Sequence, residues 1–183
     1  ASTLQKKFGA YSLKCNTSSY FTTPWTSKFA LSNSDFTMEC WLYTDLAVGA
    51  GGGQLLGNWH AGSAGGCAFQ VFVLSSGAIS ATIRNNGTSY AVVTATGAVK
   101  ANTWTHVAIV RSGTNLMAFV NGSLLKTTVI PAAFTVSPGD QAITLGGRNG
   151  DSVGLSGYLD EVRIVKTALY LTNFEVPTSS FPT

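Results

Sequence analysis

Charge is scarce in this chain: eleven Lys and Arg and eight Asp and Glu among 183 residues leave a formal charge of only +3. The basic residues are scattered singly, apart from Lys6 and Lys7, so no basic stripe tracks a phosphate backbone and nucleic acid is excluded as a partner. No apolar run approaches the roughly 20 residues that span a bilayer, which excludes a membrane-crossing helix. The start, Ala1-Ser-Thr-Leu-Gln-Lys-Lys7, lacks the apolar core of a signal peptide. A small first residue fits removal of an initiator Met and synthesis in the cytosol, although a signal cleaved ahead of Ala1 leaves the same start.

Cysteine is equally sparse. Cys15, Cys40 and Cys67 are odd in number and form no C-x-x-C pair, so neither a zinc knuckle nor a disulfide framework is available, and free buried thiols are expected. With His60 and His106 as the only histidines, no metal trio or nucleophilic triad can be assembled. The Asn16, Asn86 and Asn121 sequons are chance products of abundant Asn, Ser and Thr.

Gly, Thr, Ser, Val and aromatic residues dominate what remains, a composition suited to pleated, half-buried surfaces. Phe36-Thr-Met-Glu-Cys-Trp-Leu-Tyr43 alternates, with Phe36, Met38, Cys40 and Leu42 on one face and Thr37, Glu39, Trp41 and Tyr43 on the other, as in a strand with one buried face. The glycines at 49 and 51–53 follow it as a flexible connection, and no helix pattern comes after them to complete a phosphate site. Residues 68–74, 78–84 and 90–94 are apolar runs separated by Ser75-Ser-Gly77 and Asn85-Asn-Gly87, an antiparallel meander. A second meander runs through 104–111, 115–120 and 123–129, its last turn being Asn121-Gly122. Strands at 142–146 and 158–165 close the series, and only 166–171 offers a helical turn. So many short strands, with no internal boundary or repeat, predict one all-β domain over 1–183 built as two packed antiparallel sheets.

Five segments carry a family resemblance: Asp35-Phe-Thr-Met-Glu-Cys-Trp-Leu-Tyr43, Trp104-Thr-His-Val-Ala-Ile-Val-Arg111, Phe119-Val-Asn-Gly122, Leu145-Gly-Gly147 and Gly157-Tyr-Leu-Asp-Glu-Val-Arg-Ile164. In order and spacing they resemble laminin G-like, concanavalin A-like jelly-roll domains, from about Phe8 to Pro182. Cys15 and Cys40 stand where that family usually has large apolar residues. The tail, from Tyr170-Leu-Thr-Asn-Phe174 to Pro177-Thr-Ser-Ser-Phe-Pro182, is similar to the closing segment of versions carried by tailed bacteriophages.

The resemblance implies a sandwich and leaves the activity to the residues. Glycosidases on this fold use paired carboxylates in a Glu-x-Asp-x-x-Glu strand, which is missing, and no two of the eight acids lie two apart on one strand face. A cross-strand pair such as Glu39 with Glu161 stays open from the sequence, and the expectation is no catalytic residue. His106 and Trp104 read as packed core, Asp160 as a buried acceptor sharing a face with Tyr158, Val162 and Ile164, and Glu161 and Arg163 as an ion pair opposite. Relatives often bind calcium through loop oxygens, and Asn149 and Asp151 are the candidates here, with Arg148 arguing against a cation, so no cofactor is expected unless calcium is held there.

For binding, Trp59 and His60, followed by the 61–66 loop, are placed to stack on a sugar, with Arg148, Asn149 and Asp151 bonding its hydroxyls, although Trp59 also reads as core. The leading expectation is a non-catalytic virion surface component, a decoration or tail subunit meeting other virion proteins and itself as a homo-oligomer. The alternative is a lectin-like carbohydrate-binding module meeting cell-surface glycan outside the cell, and a hydrolase with lost motifs comes third. The thiols give the first test. Alkylation under denaturing, non-reducing conditions adds three groups to the intact mass, and one added group would reveal a disulfide.

Overall fold

Alternating apolar residues and positive-φ turns divide the chain into short strands. In order these are β1 (Leu13–Cys15), β2 (Phe21–Thr23), β3 (Phe36–Thr44), β4 (Gly53–Gly57), β5 (Phe69–Val73), β6 (Ile79–Asn85), β7 (Thr88–Val93), β8 (Thr105–Ser112), β9 (Asn115–Val120), β10 (Ser123–Val129), β11 (Ile143–Leu145) and β12 (Gly157–Val165). The computed structural model describes residues 1–48, 51–60, 67–148, 150 and 153–182. Among them the sole helical element is a 3-10 turn at Ser27–Phe29, and no helix is long and apolar enough to cross a membrane.

The strands form two six-stranded antiparallel sheets, the first in the order β1-β12-β3-β8-β9-β10 and the second β2-β11-β4-β5-β6-β7. Both expected meanders are present, as β5-β6-β7 and β8-β9-β10. Their tight turns use Asn86 and Gly87 at φ 43° and 88°, and Asn121 and Gly122 at 48° and 77°, the left-handed pair that matches strand twist. Between the sheets lies the apolar core, with Phe36, Met38 and Leu42 from one side meeting Phe69, Ile79 and Ile83 from the other. Cys15, Cys40 and Cys67 are free and buried. Burial pushes the Cys15 thiol up to about 12 and raises Cys40 as well, so neither is a ready nucleophile.

β3 departs from expectation. Its second face is buried too, with Thr37, Glu39 and Trp41 only 0%, 1% and 3% exposed. A period of two says which residues share a face and nothing about what later covers it. Here the chain termini do the covering. Phe8 packs edge-on against Trp41 at 6.0 Å, while Tyr170 and Phe174 lie on His106 and Phe119. Residues 166–171 form no helix, because Thr37 holds them extended: its hydroxyl donates to the Thr167 carbonyl at 2.8 Å and accepts from the Leu169 N–H at 3.0 Å.

A bulge in β12 corrects two further expectations. Glu161 sits at φ 49° between the paired residues Asp160 and Arg163, so the faces exchange beyond it. Val162 and Ile164 then pack on the core, while Arg163 comes opposite Glu39 on the outer face. Glu161 takes the Phe181 N–H at 2.6 Å in place of Arg163. Asp160 is the expected buried acceptor, receiving the Lys7 and Phe8 N–H groups at 2.8 and 3.2 Å, which ties the N-terminal segment down. Trp104, expected in the core, is half-buried against Tyr43 at 5.6 Å.

Gly122 shows how tightly the C-terminal segment is seated. Its carbonyl accepts the Phe174 N–H at 2.9 Å, and a Cβ there would collide with the Phe174 carbonyl in a conformation that already disfavours L side chains. Gly122→Ala is expected to cost about 1–3 kcal/mol in urea unfolding. A loss below about 0.5 kcal/mol, the level of an ordinary surface substitution, would show that the segment is not seated as described.

Candidate functional site

The acid cluster closest to catalytic chemistry is sealed. Glu39 Oε1 accepts Arg163 Nε and Nη2 at 2.9 and 2.5 Å, and Oε2 contacts His106 Nε2 at 3.1 Å and accepts the Tyr170 hydroxyl at 3.0 Å. The Glu39 and His106 side chains are both 0% exposed. Burial raises the Glu39 carboxyl, but the bonds from His106 and Arg163, the arginine charge and the Tyr170 hydroxyl outweigh it and hold the group below the usual carboxylate range. Tyr170 is pushed up to about 12 by burial and by the charge of Glu39. With its oxygens occupied and no route to solvent, Glu39 is a fastener, and Glu161 faces the Phe181 backbone instead. His106 is packed as expected, T-shaped against Trp41 at 5.2 Å.

The residues named for binding fall on the second sheet. Ile79, Ala81 and Ile83 of β6 point into the core, so Ser80, Thr82 and Arg84 face outward, and the registers place Gln70 beside Thr82 and Phe72 beside Ser80. Trp59 follows β4 two residues after Gly57 and meets Arg84, whose guanidinium carbon lies 4.9 Å from the indole centroid. Arg148 follows β11 and covers Phe72 at 5.9 Å, beside Gly147, whose carbonyl accepts Gln54 Nε2 at 2.9 Å. Trp59 thus lies at Arg84, just beyond the end of β4, and Arg148 lies at Phe72, which pairs with Gln54 on that strand.

Trp59 and His60 are half-buried, and the His60 N–H is held by Cys67 Sγ at 3.4 Å. Asn149, Asp151 and the 61–66 loop lie outside the described residues. Among the described residues no three His, Cys, Asp or Glu groups gather to hold a metal ion.

Sequence reasoning missed Gln54, Gln70 and Arg84. The alternation through residues 79–85 would have placed Arg84 on an outer face, but only the folded sheet brings it to Trp59. Among the described residues, Gln54 Oε1, Gln70 Oε1 and Arg84 Nε are buried with no hydrogen-bond partner, as are Trp41 Nε1 and His106 Nδ1 under the terminal wrap. Gly57 stands beside Gln70, and a Cβ there would meet the Phe69 carbonyl at 2.9 Å. A hollow of about 410 Å³ lies between the Asn121–Ser123 turn and Asn173–Val176.

Two antiparallel sheets with this pairing define a jelly-roll sandwich of the laminin G and concanavalin A type. The family model of the concanavalin A-like lectin/glucanases superfamily, in its laminin G form, matches residues 16–172, and the chain belongs to that family. No curated protein matches the sequence. Among solved structures, the chain is similar to the carbohydrate-binding module CBM40 of the Ruminococcus gnavus IT-sialidase, solved bound to α2,3-sialyllactose. The TM-score is 0.64 and the identity 21%, over 87% of this chain and 94% of the module. Domains LG4-5 of mouse laminin α1 align at 0.65 and 15%, over 94% of this chain and 47% of theirs. The binding domain of botulinum neurotoxin serotype G aligns at 0.62 and 14%, over 87% and 40%. At these identities the likeness is one of fold.

The Glu39 cluster sets an acid signature. Its folded carboxyl titrates below its unfolded value, so its stabilisation is fully present above the unfolded value, near pH 4.3, and is lost as pH falls through the folded one. Glu39→Gln is expected to cost about 3–5 kcal/mol at pH 7 and to flatten the fall in stability below about pH 4. Equal acid sensitivity in both proteins, read by urea unfolding, would place that sensitivity elsewhere.

Proposed function

We propose that this chain is a non-catalytic carbohydrate-binding module that takes glycan along the outer face of its second sheet. The observation that carries this reading is Arg84 at the half-buried ring of Trp59, its Nε unpartnered among the described residues, as is Gln70 Oε1 on the neighbouring strand β5. A buried polar atom without a partner costs about 1–3 kcal/mol, which a ligand hydroxyl or carboxylate recovers on binding. Arg84 covers one face of the indole and steadies it for contact with the C–H face of a sugar.

None of the six strands of this sheet carries Asp or Glu, so the face offers no strand carboxylate for general acid catalysis. Among the described residues, Arg84 on β6 gives this face a cationic donor beside an aromatic ring, which suits an acidic sugar. The sialyllactose-bound module with the same fold supports the same ligand class. Attachment to a virion, the leading expectation from the sequence, has no observation of fold or relatives in its favour.

Calorimetric titration with 3′-sialyllactose and oligogalacturonate tests the proposal. Trp59→Ala and Arg84→Ala are each expected to weaken binding about tenfold or more, with thermal unfolding little changed. Absence of acidic-glycan binding by the unmodified chain would sink the reading, and stoichiometric co-sedimentation with phage particles in its place would restore the virion one.

A further inference from the structure

The terminal segments that wrap the first sheet stop one row short of its end. Phe8 covers Trp41, but Tyr43, two residues further along the same face of β3, is left half-exposed. Register aligns Lys14 of β1 with Tyr158 of β12, and Tyr158 with Tyr43. Trp104, just before β8, extends the row. The Tyr43 ring lies 5.6 Å from Trp104 and 6.0 Å from Tyr158, so three half-buried aromatic rings stand side by side with a cation at one end.

Beyond this aromatic row runs a polar one. Asn16, Ser156, Asp45 and Asn102 border a cleft of about 290 Å³ whose other wall is Lys14, Tyr158 and Tyr43. Ligand sites begin at about 300 Å³, so this cleft takes one ring and not a chain. Gly157 and Cys15 complete its lining, and a Cβ at Gly157 would strike the Tyr43 carbonyl, so that position stays bare. The polar groups are held in place before any ligand arrives. Asp45 Oδ1 accepts the Ala47 N–H and Oδ2 the Ser156 hydroxyl, both at 2.9 Å, leaving each oxygen with further accepting capacity. Asn102, at φ 56°, is pinned through its N–H to the Thr44 carbonyl at 2.7 Å, and its side chain is exposed.

We infer that this cleft is a second sugar site, on the opposite sheet from the first, that binds one neutral pyranose. Rings with polar neighbours suit a sugar, whose C–H face is apolar and whose edge carries hydroxyls. A fixed carboxylate and amides match hydroxyl donors and acceptors. One cation and one anion face the space, so no net charge favours an acidic ligand, in contrast to the Arg84-bearing face of the second sheet. The inference rests on the reading of the chain as a carbohydrate-binding module. With sites on both sheets, one molecule would bridge two glycan chains and gain by avidity.

The test is calorimetric titration of the full chain with neutral tetrasaccharides of glucose, mannose and galactose, alongside 3′-sialyllactose. Binding of at least one neutral sugar is expected, weakened about tenfold by Tyr158→Ala and by Asp45→Asn and unchanged by Trp59→Ala. Asp45→Asn keeps the size of the side chain, so it carries the test if Tyr158→Ala fails to fold. Neutral-sugar binding that ignores both substitutions, or tighter binding of an acidic sugar at Tyr158, would overturn the inference. If 3′-sialyllactose binds through Trp59 while no neutral sugar binds, the inference falls and the module reading stands. If neither binds, both fall.

Discussion

The fold depends on one buried carboxylate. Glu39 lies in the middle strands of the first sheet, 1% exposed, and a charge so placed is tolerable only with its lone pairs filled. His106 comes from the neighbouring strand β8, Arg163 from β12 on the other side, and Tyr170 from the segment that follows. Three stretches of chain distant in sequence are thereby brought to one point. Thr37, on the same strand face, adds two bonds to the Tyr170 segment, and Tyr170 stacks flat on Phe174 at 3.5 Å. The C-terminal segment is fastened across the first sheet as a consequence, and Asp160 fastens the N-terminal segment beside it.

That wrapping decides which surfaces remain for ligands. A sheet covered over Trp41, His106 and Phe119 cannot present its centre to a partner, so the candidate binding surfaces are on the opposite sheet and in the uncovered row at the sheet's end. In the second sheet β6 keeps strict alternation, buried inside and half-exposed outside, while β4 and β5 are buried almost throughout. The outer residues of β6 are Ser80, Thr82 and Arg84, beside Gln70 and Phe72 of β5. The family shares one scaffold among many functions, and here charge distinguishes the two candidate sites: arginine without strand carboxylate on one face, balanced charge beside tyrosines on the other.

Arg111 shows a similar economy in the loops. Only 2% exposed, it gives its N–H groups to the carbonyls of Gly113, Ser32 and Phe134 at 3.2, 3.3 and 2.7 Å, joining three connections at one end of the sandwich. Desolvation lowers its pKa, but an arginine keeps its charge far above neutral pH. Asp35 accepts the Gly113 N–H at 2.7 Å and braces the same turn.

By itself the sequence determined the architecture, because strand alternation and the turns at Asn86-Gly87 and Asn121-Gly122 are local signals. Free thiols and the buried acceptor role of Asp160 were legible too, from cysteine number and from the cost of an unpaired buried carboxylate. Only the tertiary structure decided which sheet face stays open. Alternation gave β3 and β6 the same pattern, yet the termini bury the second face of β3 and leave that of β6 half-exposed. The bulge at Glu161 escaped detection because one extra residue reverses every later side chain without disturbing the composition, and it turned an expected Glu161 and Arg163 pair into the Arg163 and Glu39 bridge. The candidate sites were hidden for the same reason. Trp59 and Arg84, or Tyr43 and Tyr158, become neighbours only across a ladder, and register is a property of the folded sheet.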